Sequence, residues 1–197
     1  MSTATGDEQD QQDMVRLAAG QDAALNELMA RHGERVFCYL VRLLGNETEA
    51  DDLAQETFVR VFQNRTRFRP SAKFSTWLFT VATNLARDRL RWRRRHPHVS
   101  VEADESEPEH GLKQTLVSSD PSPAENLEAA ERTAAVREAV AELPEELRLP
   151  LVLAEYEEQS HAEIAAVMDC SPKAVEMRIY RARQQLRVSL SKWLKSV

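Results

Sequence analysis

Two arginine-rich stretches give this chain its clearest chemistry. Arg87, Arg89, Arg91, Arg93, Arg94 and Arg95 are opposed locally by Asp88 alone, and a second stretch carries Arg178, Arg181, Arg183, Arg187, Lys192 and Lys195. Asn84, Arg87, Asp88, Arg91 and Arg95 recur at i, i+3, i+4 and i+7, which on a helix makes one polar, mostly cationic stripe. Guanidinium groups in such a row can hold phosphates, and Asn84 can bond a base edge. Phe68, Phe74, Trp77 and Phe79 lie just ahead of this row. Stacking rings beside a cationic groove suit single-stranded nucleic acid, although rings at helical spacing equally suit a core.

The second basic stretch belongs to a different device. Ser160 and Glu163 make a capping box, Ile164, Val167 and Met168 point inward, Asp169-Cys170 turns the chain, and Ser171-Pro172 starts a new helix carrying Val175, Ile179, Ala182, Leu186 and Leu190. This is the pattern of a helix-turn-helix, whose second helix enters the major groove. That helix exposes Lys173, Glu176, Met177, Arg178, Tyr180, Arg181 and Arg183. Arginine can donate two bonds to guanine, glutamate can accept from cytosine, and methionine can meet a thymine methyl. A charged, solvated face on a three-helix packing domain is the plainer alternative.

A third constellation is acidic. Asp51, Asp52 and Glu56 stand beside Gln55 and read either as a solvated face or as a protein-docking surface. Carboxylate pairs can also serve acid-base chemistry or a hard cation, but no phosphate-binding glycine loop, calcium-loop pattern or nucleophile-base pair accompanies them, so the chain reads as a non-enzyme. His32, His96, His98, His110 and His161 show no ligand spacing beyond His96-Pro97-His98, and Cys38 and Cys170 stand far apart, so neither metal, other cofactor nor disulfide is expected.

Helices must position these groups. The 197 residues are 42% hydrophobic, 29% charged and only 6% aromatic, with 5 Gly, a composition that leans helical. Leu25, Leu28, Met29, Val36, Phe37, Leu40, Val41 and Leu44 predict a long amphipathic helix stopped by Gly45-Asn46. Thr48 is the expected cap of a second helix with Leu53, Thr57, Phe58, Val61 and Phe62 on its inner side. A loop from Arg65 to Lys73 leads to a third helix starting near Ser75, with Leu78, Val81, Leu85 and Trp92 along its apolar stripe. Later, Ser122, Pro123 and Glu125 predict a helix reaching about Leu143. Pro144 restarts another, with Leu147, Leu151, Val152 and Tyr156 buried and Pro150 kinking it.

The net charge of -6 conceals the basic patches because the acids gather between them. Glu102, Asp104, Glu105, Glu107, Glu109, Asp120 and Glu125, with Pro108, Gly111, Pro121 and Pro123, have the composition of a flexible acidic linker. The expected organisation is all-α: a disordered tail over residues 1–13, a helical bundle over 14–96, the linker over 97–121 and a helix-turn-helix domain over 122–197. The polar, acidic start is unlike a signal peptide and no apolar run spans a bilayer, so a cytoplasmic protein is expected.

Order and spacing then point to a family. Asp51-Asp52-Leu53-Ala54-Gln55-Glu56-Thr57-Phe58, Phe74-Ser75-Thr76-Trp77-Leu78 and Asn84-Leu85-Ala86-Arg87-Asp88 resemble the sigma-two domain of extracytoplasmic-function sigma factors, within the sigma-70 family. Leu143-Pro144-Glu145-Glu146-Leu147, Ser160-His161-Ala162-Glu163-Ile164-Ala165 and Arg178-Ile179-Tyr180-Arg181-Ala182-Arg183 resemble their sigma-four domain. The resemblance implies a transcription initiation factor that binds core RNA polymerase and then promoter DNA, as duplex and as melted strand, with no small-molecule substrate. By the same resemblance Asp51, Asp52, Gln55, Glu56 and Phe58 would dock on core polymerase. Arg65, Phe68, Lys73, Trp77, Asn84, Arg87, Asp88 and Arg91 would capture the proximal promoter element, and Lys173, Glu176, Met177, Arg178, Tyr180, Arg181 and Arg183 would read the distal one. The resemblance admits an anti-sigma factor as a further partner, though no residue identifies one. The competing reading is a stand-alone helix-turn-helix regulator that binds duplex DNA without melting it.

Overall fold

Apolar side chains returning every three or four residues wind Ala23–Leu44 into α2, the spine of the first domain, and Gly45 ends it in the left-handed conformation, with its N–H bonded to the Val41 carbonyl oxygen. The protein is described here by a computed structural model covering residues 3–69, 72–96 and 123–194. Around α2 stand α1 (Thr3–Ala18), α3 (Glu47–Gln63) and α4 (Phe74–Arg95), with a short 3-10 turn at Arg65–Arg67. The cap of α3 is Asn46, whose side chain accepts from the Glu49 N–H at 2.8 Å, rather than Thr48. Asparagine leaving the Gly45 turn is already extended, so the helix starts earlier.

The second domain comprises α5 (Pro123–Ala141), α6 (Glu145–Glu155), α7 (His161–Met168), α8 (Pro172–Ser189) and α9 (Ser191–Leu194). The capping box at Ser160 and Glu163 is present, with both reciprocal bonds formed. Asp169 takes a left-handed conformation in the turn, and Ser171 caps α8 ahead of Pro172. Ile164, Val167, Met168, Val175, Ile179 and Ala182 close the core between the two helices. Pro150 sits inside α6 and is buried. Tyr156, expected in that core, is instead exposed at the helix end, where its ring receives the Arg42 guanidinium at 4.1 Å. Trp92 likewise leaves the apolar stripe of α4 and stacks on His96 at 4.8 Å.

The expected tail over residues 1–13 is corrected: α1 begins at Thr3 and buries Asp10, Asp13, Met14 and Leu17 against α2. Composition concealed this because the buried groups are acids, which enter a core only with partners. Arg31 donates to Asp10 at 2.9 Å and to Asp13 at 2.5 Å, and Arg16 to Asp13 at 2.9 Å. The linker over 97–121, the Ser122 cap, His98, His110 and Lys195 lie outside the described residues.

The domains also meet. α2 packs on α5 and α6, and α4 packs on α7, so that one apolar cluster runs from Met14 and Leu40 through to Leu153 and Ile179. Ion pairs join the two halves at this contact: Arg35 to Glu157 at 3.1 Å, Lys73 to Glu163 at 2.7 Å and Arg87 to Glu145 at 3.6 Å.

Candidate nucleic-acid interface

α3 divides sharply into two faces. Leu53, Ala54, Thr57, Phe58 and Val61 turn inward, and the Thr57 hydroxyl donates to the Leu53 carbonyl oxygen at 2.7 Å. Asp51, Asp52 and Gln55 are exposed, with Gln55 donating to Asp51 at 2.9 Å, while the half-exposed Glu56 pairs with Arg60 at 2.8 Å. Phe58 is the exception in the expected docking set. It is 4% exposed and belongs to the core, since it follows the acids on the opposite side of the helix, so it orients the acidic face without forming part of it.

The expected proximal-element residues fall into two patches along α4. At its start, Phe68 and Trp77 are half-buried with ring centroids 5.4 Å apart, over a fully buried Phe74. Phe79 is core, edge-on to Tyr39 at 5.1 Å. Burial pushes the Tyr39 hydroxyl well above its ordinary range, and that hydroxyl meets Thr83 at 2.7 Å, which fixes the back of α4. Arg65 lies over Phe62 at 4.3 Å and donates to the Phe62 carbonyl oxygen at 2.8 Å, which pins the loop start. Phe74 and Phe79 are thus supports, whereas Phe68 and Trp77 offer partly open faces.

The other patch is Asp88 and Arg91, which pair with each other and line an open groove with Leu53, Arg60, Leu85 and Trp92. The eleven residue-to-residue rises of helix from Trp77 to Asp88 span roughly 16 Å. Asn84 lies between the patches and is exposed on the polar stripe, as its spacing requires. Farther along, Arg93 pairs with Glu49 at 2.7 Å and donates to the Leu44 carbonyl oxygen at 2.8 Å, tying α4 to the end of α2 and the start of α3.

On α8, Lys173, Glu176, Met177, Tyr180, Arg181 and Arg183 are all exposed, Tyr180 by 58%. Lys173 bonds Glu176 at 2.8 Å and holds its carboxyl below the ordinary range. Arg178 is half-buried with Nη1 3.5 Å from the Cys170 sulfur, and Arg183 pairs with Glu155 at 2.6 Å. Both arginines therefore help set the helix on its scaffold, while Met177, Tyr180 and Arg181 extend into solvent.

Sequence reasoning did not find the acids that face the first domain. Burial pushes the Glu163 carboxyl up, yet hydrogen bonds from Lys73 and Ser160 outweigh it and hold it below the ordinary range. Burial pushes the Glu157 carboxyl up, and Arg35 offsets only part of that rise. The available signal was local: Glu163 is the N3 member of a capping box, and nothing in a sequence shows that its second oxygen serves another domain.

Comparisons with known proteins agree with this layout. Residues 28–96 match Sigma-70 region 2, and residues 133–186 match Sigma-70 region 4. The RNA polymerase sigma-H factor of Pseudomonas aeruginosa is 34% identical over 95% of this chain and 97% of its own. The ECF RNA polymerase sigma factor SigW of Bacillus subtilis is 31% identical over 87% of this chain and 91% of its own. Among solved structures, CnrH in complex with the cytosolic domain of CnrY superposes with a TM-score of 0.67 at 31% identity, covering 93% of this chain and 98% of that one. The region 2 match occupies the segment where a stand-alone regulator would carry its sensing or dimerisation module. With both regions in order and relatives matched over nearly their whole length, the chain belongs to the extracytoplasmic-function sigma factors of the sigma-70 family, the non-enzymatic initiation factors of RNA polymerase.

Proposed function

We propose that the outer face of α3, with Asp51, Asp52, Gln55 and Glu56, docks this chain on core RNA polymerase, that the start and polar stripe of α4 capture the melted proximal element, and that α8 reads the distal element as duplex. The observation that carries the reading is the placement of exposed Asn84 between a half-open aromatic pair and the Asp88 and Arg91 patch. Unstacking a base takes a few kcal/mol, and stacking on Trp77 or Phe68 with a bond from Asn84 offsets it only once the base has left the duplex. Recognition and melting are then one event. Arg87 and Lys73 would hold the adjoining phosphates, and Arg65 shapes the loop that carries Phe68.

On α8, Arg181 and Met177 are suited to base edges, Tyr180 to the backbone or a base, and Lys173 with Glu176 to the first contacts at the helix start. Two modest DNA modules on one chain gain from effective concentration once core polymerase spaces them. The closed contact between the domains must open first, because Glu163 and Glu145 occupy Lys73 and Arg87. Phosphates would replace these carboxylates.

The protein is expected to act in the cytoplasm, and no helix among the described residues is long and apolar enough to cross a membrane. The solved structure of RpoE with the anti-sigma factor NepR from Bartonella quintana shares the fold, with a TM-score of 0.66 at 21% identity. An anti-sigma factor holding the closed form is accordingly a partner to seek. The test is permanganate reactivity of promoter thymines with reconstituted holoenzyme. Wild type should expose thymines next to the proximal element, Asn84→Ala should lose most of that signal while still binding core and duplex, and Asp52→Arg should fail at core binding. Equal melting by Asn84→Ala would overturn the assignment.

A further inference from the structure

We infer that α1 is a brace for the loop and first turn of α4 that present Phe68, Lys73 and Trp77, and that Asp10 and His32 are its positioning residues; the inference rests on the proposed role of those residues in capturing the proximal element. The region 2 match begins at residue 28, so α1 lies ahead of it. Its buried side is charged as well as apolar. His32 Nε2 lies 2.7 Å from Asp10 Oδ2, both residues being buried, and the His32 ring packs 5.2 Å from Phe74. Among the described residues no group bonds His32 Nδ1, so the bond to Asp10 is what sets the orientation of the ring. Phe74 in turn touches Phe68 at 6.1 Å and Trp77 at 6.2 Å.

The helix also reaches the loop at both ends. α1 packs on the 3-10 turn at Arg65–Arg67, and Asp7 lies 3.6 Å from Lys73. A helix needed only for adhesion would bury leucines at these sites. Buried charges instead require each partner in place, because one left alone is strongly disfavoured. Docking of α1 and placement of Phe74, and with it the Phe68 and Trp77 rings, are therefore coupled through Asp10 and His32.

The test compares His32→Leu, which keeps bulk but loses the bond, His32→Gln, whose side-chain amide can restore a donor near the Nε2 position, and Asp10→Asn. Holoenzyme made from each full chain is titrated with a fluorescent single strand carrying the proximal element of a promoter that wild type opens. His32→Leu should weaken single-strand affinity about tenfold, with core affinity and distal-duplex affinity within about twofold of wild type and His32→Gln returning most of the loss. In a background with Trp92→Phe and Trp193→Phe, Trp77 emission should shift to the red in His32→Leu and Asp10→Asn and stay in place in His32→Gln.

Trp77→Ala and Asn84→Ala separate the two levels. If they leave single-strand affinity intact, the reading of the loop itself fails. If they weaken it while His32→Leu and Asp10→Asn do not, the brace fails alone. An equal drop in core, duplex and single-strand affinity, or a Trp77 emission unmoved by His32→Leu, would show α1 to be a general stabiliser and overturn the inference.

Discussion

Arg93 on α4 is tied to Glu49 and to the Leu44 carbonyl oxygen, and Phe74, Leu78, Phe79 and Ala82 bury the other side of the same helix. On α8 the buried side is narrower, Val175, Ile179 and Ala182, and Tyr180 and Arg181 extend into solvent. Both helices carry arginine-rich stripes, so charge alone does not separate them. Support does. A base pulled from a duplex has to meet its ring and amide in fixed positions, because any ordering left to be done subtracts from the binding. A helix in the major groove meets an intact, regular surface and can adjust exposed side chains to it.

The largest expected effect follows from that contrast. Trp77→Ala should reduce promoter opening by about 1–3 kcal/mol, read as loss of run-off transcript and permanganate signal, while binding to the closed promoter is kept. Equal loss of both would mean that α4 also grips duplex and would dissolve the distinction between the helices.

On the other side, Arg181→Ala should weaken distal-duplex binding by about 1–3 kcal/mol if it contacts a base, with relaxed preference at one position when measured by competition among duplex variants. A uniform weakening across all variants, with a shallower salt dependence, would place Arg181 on a phosphate.

The contact between the domains is the weaker part of the comparison. Lys73 and Glu163 are both reachable by water, so solvent screening holds their pair to below about 1 kcal/mol. Lys73→Glu should open the free protein only partly, seen as a fall in energy transfer between dyes on α3 and α8, and salt should reproduce part of that fall in wild type. No change in either would leave the apolar contact as the whole of the closure.

The smallest effect concerns pH. Burial raises the Glu157 carboxyl above its ordinary range in the closed form, so that form holds the proton more tightly than the open one. Its contribution to closure is present in full below the ordinary carboxylate range and is lost as pH rises through the raised value. Energy transfer should therefore fall modestly over that window in wild type and stay level in Glu157→Gln. The opposite slope would mean that the Arg35 pair outweighs the burial of Glu157.

Much of this architecture was legible because apolar spacing and capping residues act locally. Ser160, Glu163, Ser171 and Pro172 fixed the boundaries of α7 and α8, and the Asn84 stripe predicted which side of α4 meets solvent. What escaped was set by partners distant in sequence. Asp10 and Asp13 look like tail residues until Arg31 and His32 stand opposite them, and Tyr156 looks like core until Arg42 takes its ring. Phe58 was placed on the inner side of α3 by its spacing and is buried there, whereas Phe79 left core and platform both open until Tyr39 took its edge.

Run-off transcription with purified core RNA polymerase on a pool of genomic fragments, using wild type, Asp52→Arg, Asn84→Ala and Arg181→Ala, asks whether the acidic face of α3, the stripe of α4 and the open face of α8 act together in initiation. Wild type should give new transcripts sharing two spaced upstream elements, Asp52→Arg none, Asn84→Ala only a small residue of them, and Arg181→Ala a reduced, less selective set. Transcripts from the same start sites with Asp52→Arg and Asn84→Ala at wild-type yield would contradict that joint action.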